Sequence, residues 1–236
     1  MNLYNSSVSQ TPIVIAEERA KFMSRVYLWM SGGILTTAIV STFFANNPEW
    51  INQLMRERFL FWMLMIAEFG MVIYLTAAIN RITAAAAMFC FLAYAMLNGV
   101  TLSFIFLIYT RESIANVFGV TSIAFAGLSS IGYLTKRDLG PVGTFCTFGL
   151  FGLVGYGLLS FIFPAMLSEG ASFVYSIIGL LVFGGLTAYD TQKIKAMNIG
   201  EGGEIQTKGA IIGALTLYLD FINLFLNILR LTGRRR

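Results

Sequence analysis

Histidine is absent from all 236 residues, and that absence excludes a good deal of chemistry. Ser–His catalysis, His-ligated haem and a His-Glu-x-x-His zinc site are all closed to this chain. Charge is scarce as well: 12% of residues are Asp, Glu, Lys or Arg, where an ordinary soluble domain carries about a quarter. The two cysteines, Cys90 and Cys146, both lie inside apolar runs and read as small buried hydrophobes, not as a disulfide. What remains is apolar, at 57% of the chain and a mean hydropathy of +0.74.

Such a composition points to a bilayer as solvent. A helix crossing about 30 Å of hydrocarbon needs about 20 predominantly apolar residues. Apolar runs of that size occur at about 26–46, 59–79, 83–109, 113–134, 141–164, 171–191 and 209–231. The first is too long for a signal-peptide core and is expected to stay as a span. The breaks carry turn-forming residues, among them Asn46-Asn47-Pro48, Asn80-Arg81, Lys136-Arg137-Asp138 before Gly140-Pro141, and the Gly200–Gly203 stretch. The sequence therefore predicts an all-α integral membrane protein, a seven-transmembrane-helix bundle occupying residues 21–236 behind a polar, loose N-terminal segment at 1–20. No room is left for a separate soluble module.

The net charge of +4 does not point to nucleic acid, because the basic residues are scattered over loops and form no patch interleaved with exposed aromatics. They read as topology signals. With a cytoplasmic N-terminus, the inner segments carry Arg19, Lys21, Arg25, Arg81, Lys136, Arg137, Lys193, Lys195 and Lys208, and the outer loops before the tail only Arg56, Arg58 and Arg111. The tail breaks the pattern, since a seventh full crossing puts Arg230, Arg234, Arg235 and Arg236 outside. The alternative is a re-entrant final segment that returns them to the cytoplasm. Among the small residues, Gly209-x-x-x-Gly213 opens the last helix, and Gly149, Gly152, Gly155 and Gly157 are expected to thin one face of the fifth span.

An ionisable group inside a span is expensive, so it marks a bundle interior, an ion path or a proton relay. The chain offers Glu68 in the second span, Asp190 at the end of the sixth and Asp220 in the middle of the seventh. Thr216, Asp220, Asn223 and Asn227, spaced four, three and four apart, share one helical stripe. Ser176, Thr187 and Asp190 form a similar face on the sixth helix, where Gly184 and Gly185 admit a close neighbour. Asp190 and Asp220 stand symmetrically about residue 205, in the glycine-rich turn, so an antiparallel hairpin brings them to similar depth provided the sixth helix continues past Lys193 and Lys195. Two carboxyls meeting in a poorly solvated place cannot both ionise cheaply and share one proton. Ionised, they offer hard oxygen ligands that suit Ca²⁺. The plainer reading is that the aspartates only tie helices together. Glu68 is the weaker candidate, with Arg81 at the end of its helix as a counter-charge.

Gly185-Leu186-Thr187-Ala188-Tyr189-Asp190-Thr191-Gln192 and Leu217-Tyr218-Leu219-Asp220-Phe221-Ile222-Asn223-Leu224-Phe225 closely resemble the Bax inhibitor family. Gly132-Tyr133 with Thr135-Lys136-Arg137-Asp138-Leu139, and Asn98-Gly99-Val100-Thr101-Leu102, resemble its bacterial members, so the likeness covers nearly the whole chain. That resemblance implies a last helix surrounded by six others and a pH-sensitive calcium leak across the bacterial inner membrane. It also implies a proton-sensing pair at Asp190 and Asp220, with a basic residue from the second helix, Arg81, as its partner. No cofactor is expected, Ca²⁺ and protons being the cargo and the signal. Two other functions compete: a regulator that binds another membrane protein such as a quality-control protease, and a proton-coupled transporter of a small solute. An enzyme is disfavoured because no nucleophile or metal-ligand set accompanies the acids, and a retinal protein because the last helix interior holds no lysine.

Overall fold

The computed structural model describes residues 12–163, 168–197 and 203–236. Expectations for residues 1–11, for the break at 164–167 and for the turn at 198–202 lie outside the described residues. Nine helices follow one another among those described: α1 (Pro12–Ala45), α2 (Pro48–Arg56), α3 (Arg58–Ala78), α4 (Ala84–Leu102), α5 (Ile105–Ile108), α6 (Arg111–Leu134), α7 (Gly140–Ile162), α8 (Glu169–Lys195) and α9 (Gly203–Thr232). Their boundaries follow local chemistry. The hydroxyls of Thr83, Thr110 and Ser168 accept from Ala86, Ser113 and Ala171 main-chain N–H groups at 3.2, 3.3 and 3.3 Å, capping α4, α6 and α8. Asp138 Oδ1 accepts from Gly140 N at 2.9 Å just before α7, whose second residue is Pro141.

Six of the helical stretches are long and apolar enough to cross a membrane, α4 and α5 counting as one, and this is an integral membrane protein. In α3 the apolar part, Trp62–Ala78, is shorter. Residues 12–20 are helical and continuous with the first span, so the polar segment expected to be loose ends at the latest at Pro12. Side chains such as Ile123 and Phe145, each 77% exposed, make sense only against lipid.

The last helix is the core. Of its most apolar stretch 67% is buried, against 17–39% in the other spans. It packs on α1, α4, α6 and α8, while α3 sits chiefly on α4 and α7 chiefly on α8. The expected ring of six is thus an inner ring of four with two outer helices. Because lipid is as apolar as leucine, close approach replaces the hydrophobic effect as the glue between spans. At Gly132 an added Cβ would strike the main-chain carbonyl of Ala188, so α6 and α8 meet backbone to backbone there. Gly213 packs against Ile194 and Val26, which explains the small-residue spacing that opens α9. In α7 only Gly149 of the predicted cluster meets a neighbour, Val182; Gly152, Gly155 and Gly157 face open space.

The two ends of the bundle are distinct. At one, Arg25 Nη1 donates to Gln206 Oε1 (3.2 Å), and Gln192 bonds the α6–α7 loop through Leu139 N (2.9 Å) and Arg137 O (2.8 Å). At the other, Arg111 Nη2 donates to Asn46 Oδ1 (2.6 Å), and the C-terminal tail lies against residues 108–113. Thr110 N donates to Arg234 O (3.1 Å) and Arg236 N to Ile108 O (2.9 Å). The tail arginines therefore end opposite the Lys193–Lys195 end, and α9 runs unbroken between the two without the re-entrant bend.

Candidate functional site

Asp190 lies near the C-terminal end of α8, and Asp220 lies mid-way along α9, 4% exposed. The α8 helix does continue through Lys193 to Lys195, as the hairpin argument required. The pseudo-centre at residue 205 falls in the first turn of α9 and not in the connecting turn. The two carboxyls are direct neighbours, close enough for a side-chain hydrogen bond between them. Two carboxylates only accept, so that bond exists only when one of them carries a proton.

Among the described residues no hydrogen bond reaches Asp220 Oδ2. The hydroxyls around it are spent on their own helices: Thr187 Oγ1 donates to Phe183 O (2.7 Å), Thr191 Oγ1 to Thr187 O (2.7 Å) and Thr216 Oγ1 to Ile212 O (3.0 Å). Asp220 Oδ2 is left buried with no partner among the described residues. A buried acceptor without a donor costs about 1–3 kcal/mol.

The expected polar stripe of α9 behaves differently from its pattern. Asn223 Nδ2 donates back to Leu219 O and Asn227 Nδ2 to Asn223 O, both at 2.8 Å, so these amides serve their own helix. Asn227 Oδ1, also unpartnered among the described residues, abuts Gly179 of α8. Of the four stripe residues only Asp220 and Asn227 reach across to α8. Ser176 likewise turns back, donating to Ser172 O at 2.9 Å.

Arg81, expected as the basic partner of the pair, is exposed in the turn after α3, and its side chain makes no hydrogen bond or ion pair among the described residues. The cation whose field reaches Asp190 is Lys193, three residues along α8. The helix that precedes Arg81, α3, packs chiefly on α4.

Glu68 is buried in a different environment. Thr101 donates its hydroxyl to Glu68 Oε1, and the Asn98 side chain hydrogen-bonds it as well. Asn98 Oδ1 in turn accepts from the Tyr218 hydroxyl at 3.0 Å, which lies 2.6 Å from Thr37 Oγ1. A chain of polar groups thus joins α3, α4, α9 and α1. Sequence reasoning missed Tyr218, Asn98 and Thr37 as a unit; the signal was a tyrosine and an asparagine inside apolar spans, each needing a partner. It missed also the hydroxyl chain from Tyr27 through Ser129 to Thr191, with Ser129 Oγ 3.0 Å from Thr191 Oγ1 beside Asp190.

Among the described residues no third Asp, Glu, Cys or His joins the pair to make a metal cluster. Two carboxyls supply at most four oxygens where Ca²⁺ takes six to eight, so the pair suits a passing ion better than a stored one. Cys90 and Cys146 are free thiols, Cys146 buried against Gly185.

Fold and site together define an all-helical membrane protein whose central helix presents a buried carboxyl to a second one on its hairpin partner. The chain matches the family described as "Inhibitor of apoptosis-promoting Bax1" over residues 19–236, and it belongs to that Bax inhibitor family. It is 44% identical over 222 residues to the inner membrane protein YbhL of Escherichia coli, covering 91% of this chain and 92% of that one. A protein of Rickettsia prowazekii, RP147, is 40% identical over 217 residues, covering 92% and 90%. A Borreliella burgdorferi protein is 39% identical over 218 residues, covering 92% and 93%.

Proposed function

We propose that this protein is a pH-sensitive calcium leak pathway of a bacterial inner membrane, gated by protonation of Asp190 and Asp220. The observation that carries the reading is the buried pairing of two carboxyls, with Asp220 Oδ2 lacking a partner among the described residues. With one shared proton the contact is a hydrogen bond that holds α8 on α9. When the proton leaves, the bond becomes a like-charge repulsion, and two ionised acids attract a divalent cation. In this reading α3 is a span as well, giving seven crossings, and the N-terminus is cytoplasmic because Lys136, Arg137, Lys193 and Lys195 gather at its end of the bundle. The inner-membrane location is supported by the name of the Escherichia coli relative. The protein acts without a cofactor and is not an enzyme.

The test is calcium flux into liposomes that contain only the purified protein, at acidic and alkaline pH. Flux that changes with pH in the wild type, and that Asp220→Asn renders pH-independent, supports the reading. Silence in liposomes together with a co-purifying membrane protein favours a regulator. Saturable solute uptake driven by a proton gradient favours a transporter.

A further inference from the structure

The spans α1 and α6 flank the central helix, touching through the Tyr27–Ser129 hydroxyl pair but leaving a gap beside it. Between them runs a lateral cleft, in two adjoining parts of about 960 Å³ and about 430 Å³. Ile34, Ala38, Phe118 and Phe221 line both parts, so the two adjoin along these residues. Along α1 the lining runs from Ala20 to Thr42, a rise of about 33 Å at 1.5 Å per residue, which matches the hydrocarbon thickness of about 30 Å. The wider part is bounded by Met23, Tyr27, Phe125 and Ser129, the narrower by Leu102, Ile105, Ile114 and Phe225.

Both walls are membrane spans, so the medium facing this opening is lipid. The chemistry at one end selects among lipids. Arg111 lines the narrower part; its Nη2 donates to Asn46 Oδ1, and four of its five N–H groups have no partner among the described residues. The docked tail brings Arg234, Arg235 and Arg236 to the same end. The acids there are Glu112, next to Arg111 in the chain, Glu49 and Glu57 on and beside α2, and Glu169, 3.9 Å from Arg235. An apolar slot that opens to lipid and ends on a guanidinium with donors to spare suits an acyl chain with its phosphate, one chain filling the leaflet on the Arg111 side.

We propose that the cleft between α1 and α6 is a binding site for an anionic glycerophospholipid, its acyl chain lying along Ala38, Phe118 and Phe221 and its phosphate held by Arg111. Phe221, which lines the cleft, follows Asp220 directly, and from Tyr27 and Ser129 in the cleft wall a hydroxyl chain continues to Thr191, next to Asp190 in the chain. The proposal stands whether or not the pair gates calcium.

The full-length protein in mild detergent, incubated with phosphatidylglycerol or with phosphatidylcholine and weighed by native mass spectrometry, tests it. Ala38→Trp and Ala126→Leu fill the cleft from residues that face open space, so neither crowds the core. Arg111→Gln removes the phosphate donor, and Arg56→Gln is a charge control at the same end, outside the cleft. The wild type and Arg56→Gln should retain one phosphatidylglycerol in preference to phosphatidylcholine. Arg111→Gln should weaken that retention about ten-fold, the loss of roughly one charged contact, and either cleft-filling variant should abolish it. Equal retention by wild type and both cleft-filling variants overturns the proposal. So does equal weakening by Arg56→Gln and Arg111→Gln. A dimer that Ala38→Trp dissolves, with no lipid retained, overturns it in favour of a second copy of the chain.

Discussion

Glu68 and Asp220 are both carboxyls buried in apolar helices, 8% and 4% exposed, yet their surroundings have opposite logic. Glu68 receives donors from Thr101 and Asn98, and through Asn98 it belongs to a network that ends on Tyr218 and Thr37. Asp220 faces another carboxyl, and the hydroxyls near it donate to their own helix backbones. Burial alone does not make a proton switch. The decisive property is the supply of donors: where protein groups provide them, the acid is a fixed strut, and where they do not, the proposed function has a solvent proton take their place. Both arrangements share α9, with Tyr218 turned to α1 and α4 and Asp220 to α8.

The sharpest way to break this contrast is Asp220→Asn. The amide can donate to Asp190 without a borrowed proton, so at alkaline pH the variant should gain about 1–3 kcal/mol, read from denaturation midpoints in detergent. The sign follows from linkage. In the proposed reading the folded pair holds a proton that the separated, unfolded carboxyls have released, so wild-type stability is expected to fall as pH rises, and the variant should lose that slope. A smaller loss, about 1–2 kcal/mol, is expected for Tyr218→Phe, which strips the donor from Asn98 Oδ1 while leaving the pH slope intact. Gly179→Ala tests the α8 side, because the new methyl would strike the Asn227 amide; that side chain can swing, so about 1 kcal/mol is expected. The smallest effect belongs to Glu68→Gln, within about 0.5 kcal/mol and with an unchanged slope, because the amide oxygen still accepts from Thr101. A Glu68→Gln variant with a flattened slope would erase the distinction between the two acids.

Much of this was legible in the sequence. Hydrophobic runs longer than 18 residues can be little but spans, and intramembrane acids stand out because so few residues are charged. Hairpin symmetry about residue 205 points to the pairing of Asp190 with Asp220, and the two carboxyls are neighbours although that centre lies inside α9 and not in the connecting turn. What periodicity could not reveal was where side-chain donors point. Asn223 and Asn227 share the face of Asp220 by spacing, but their amides fold back to carbonyls one turn earlier, a local choice open to any short polar side chain in a helix. Arg81 stands exposed in the turn after α3 in this structure for a related reason: sequence distance from a helix end does not say which neighbour that end packs against. The inner ring of four helices around α9 was hidden as well, since an apolar span looks alike whether it faces protein or lipid. Only the 67% burial of α9 separates the two.

The central claim, one proton shared by Asp190 and Asp220 inside the folded bundle, is tested most directly by infrared absorption of protonated carboxylic acid as a function of pH in the reconstituted protein. The account predicts a carboxylic acid carbonyl band that titrates away as pH rises, that is missing in both Asp190→Asn and Asp220→Asn, and that Glu68→Gln leaves in place. A band that survives both aspartate substitutions, or a wild type with no such band at any pH, contradicts it.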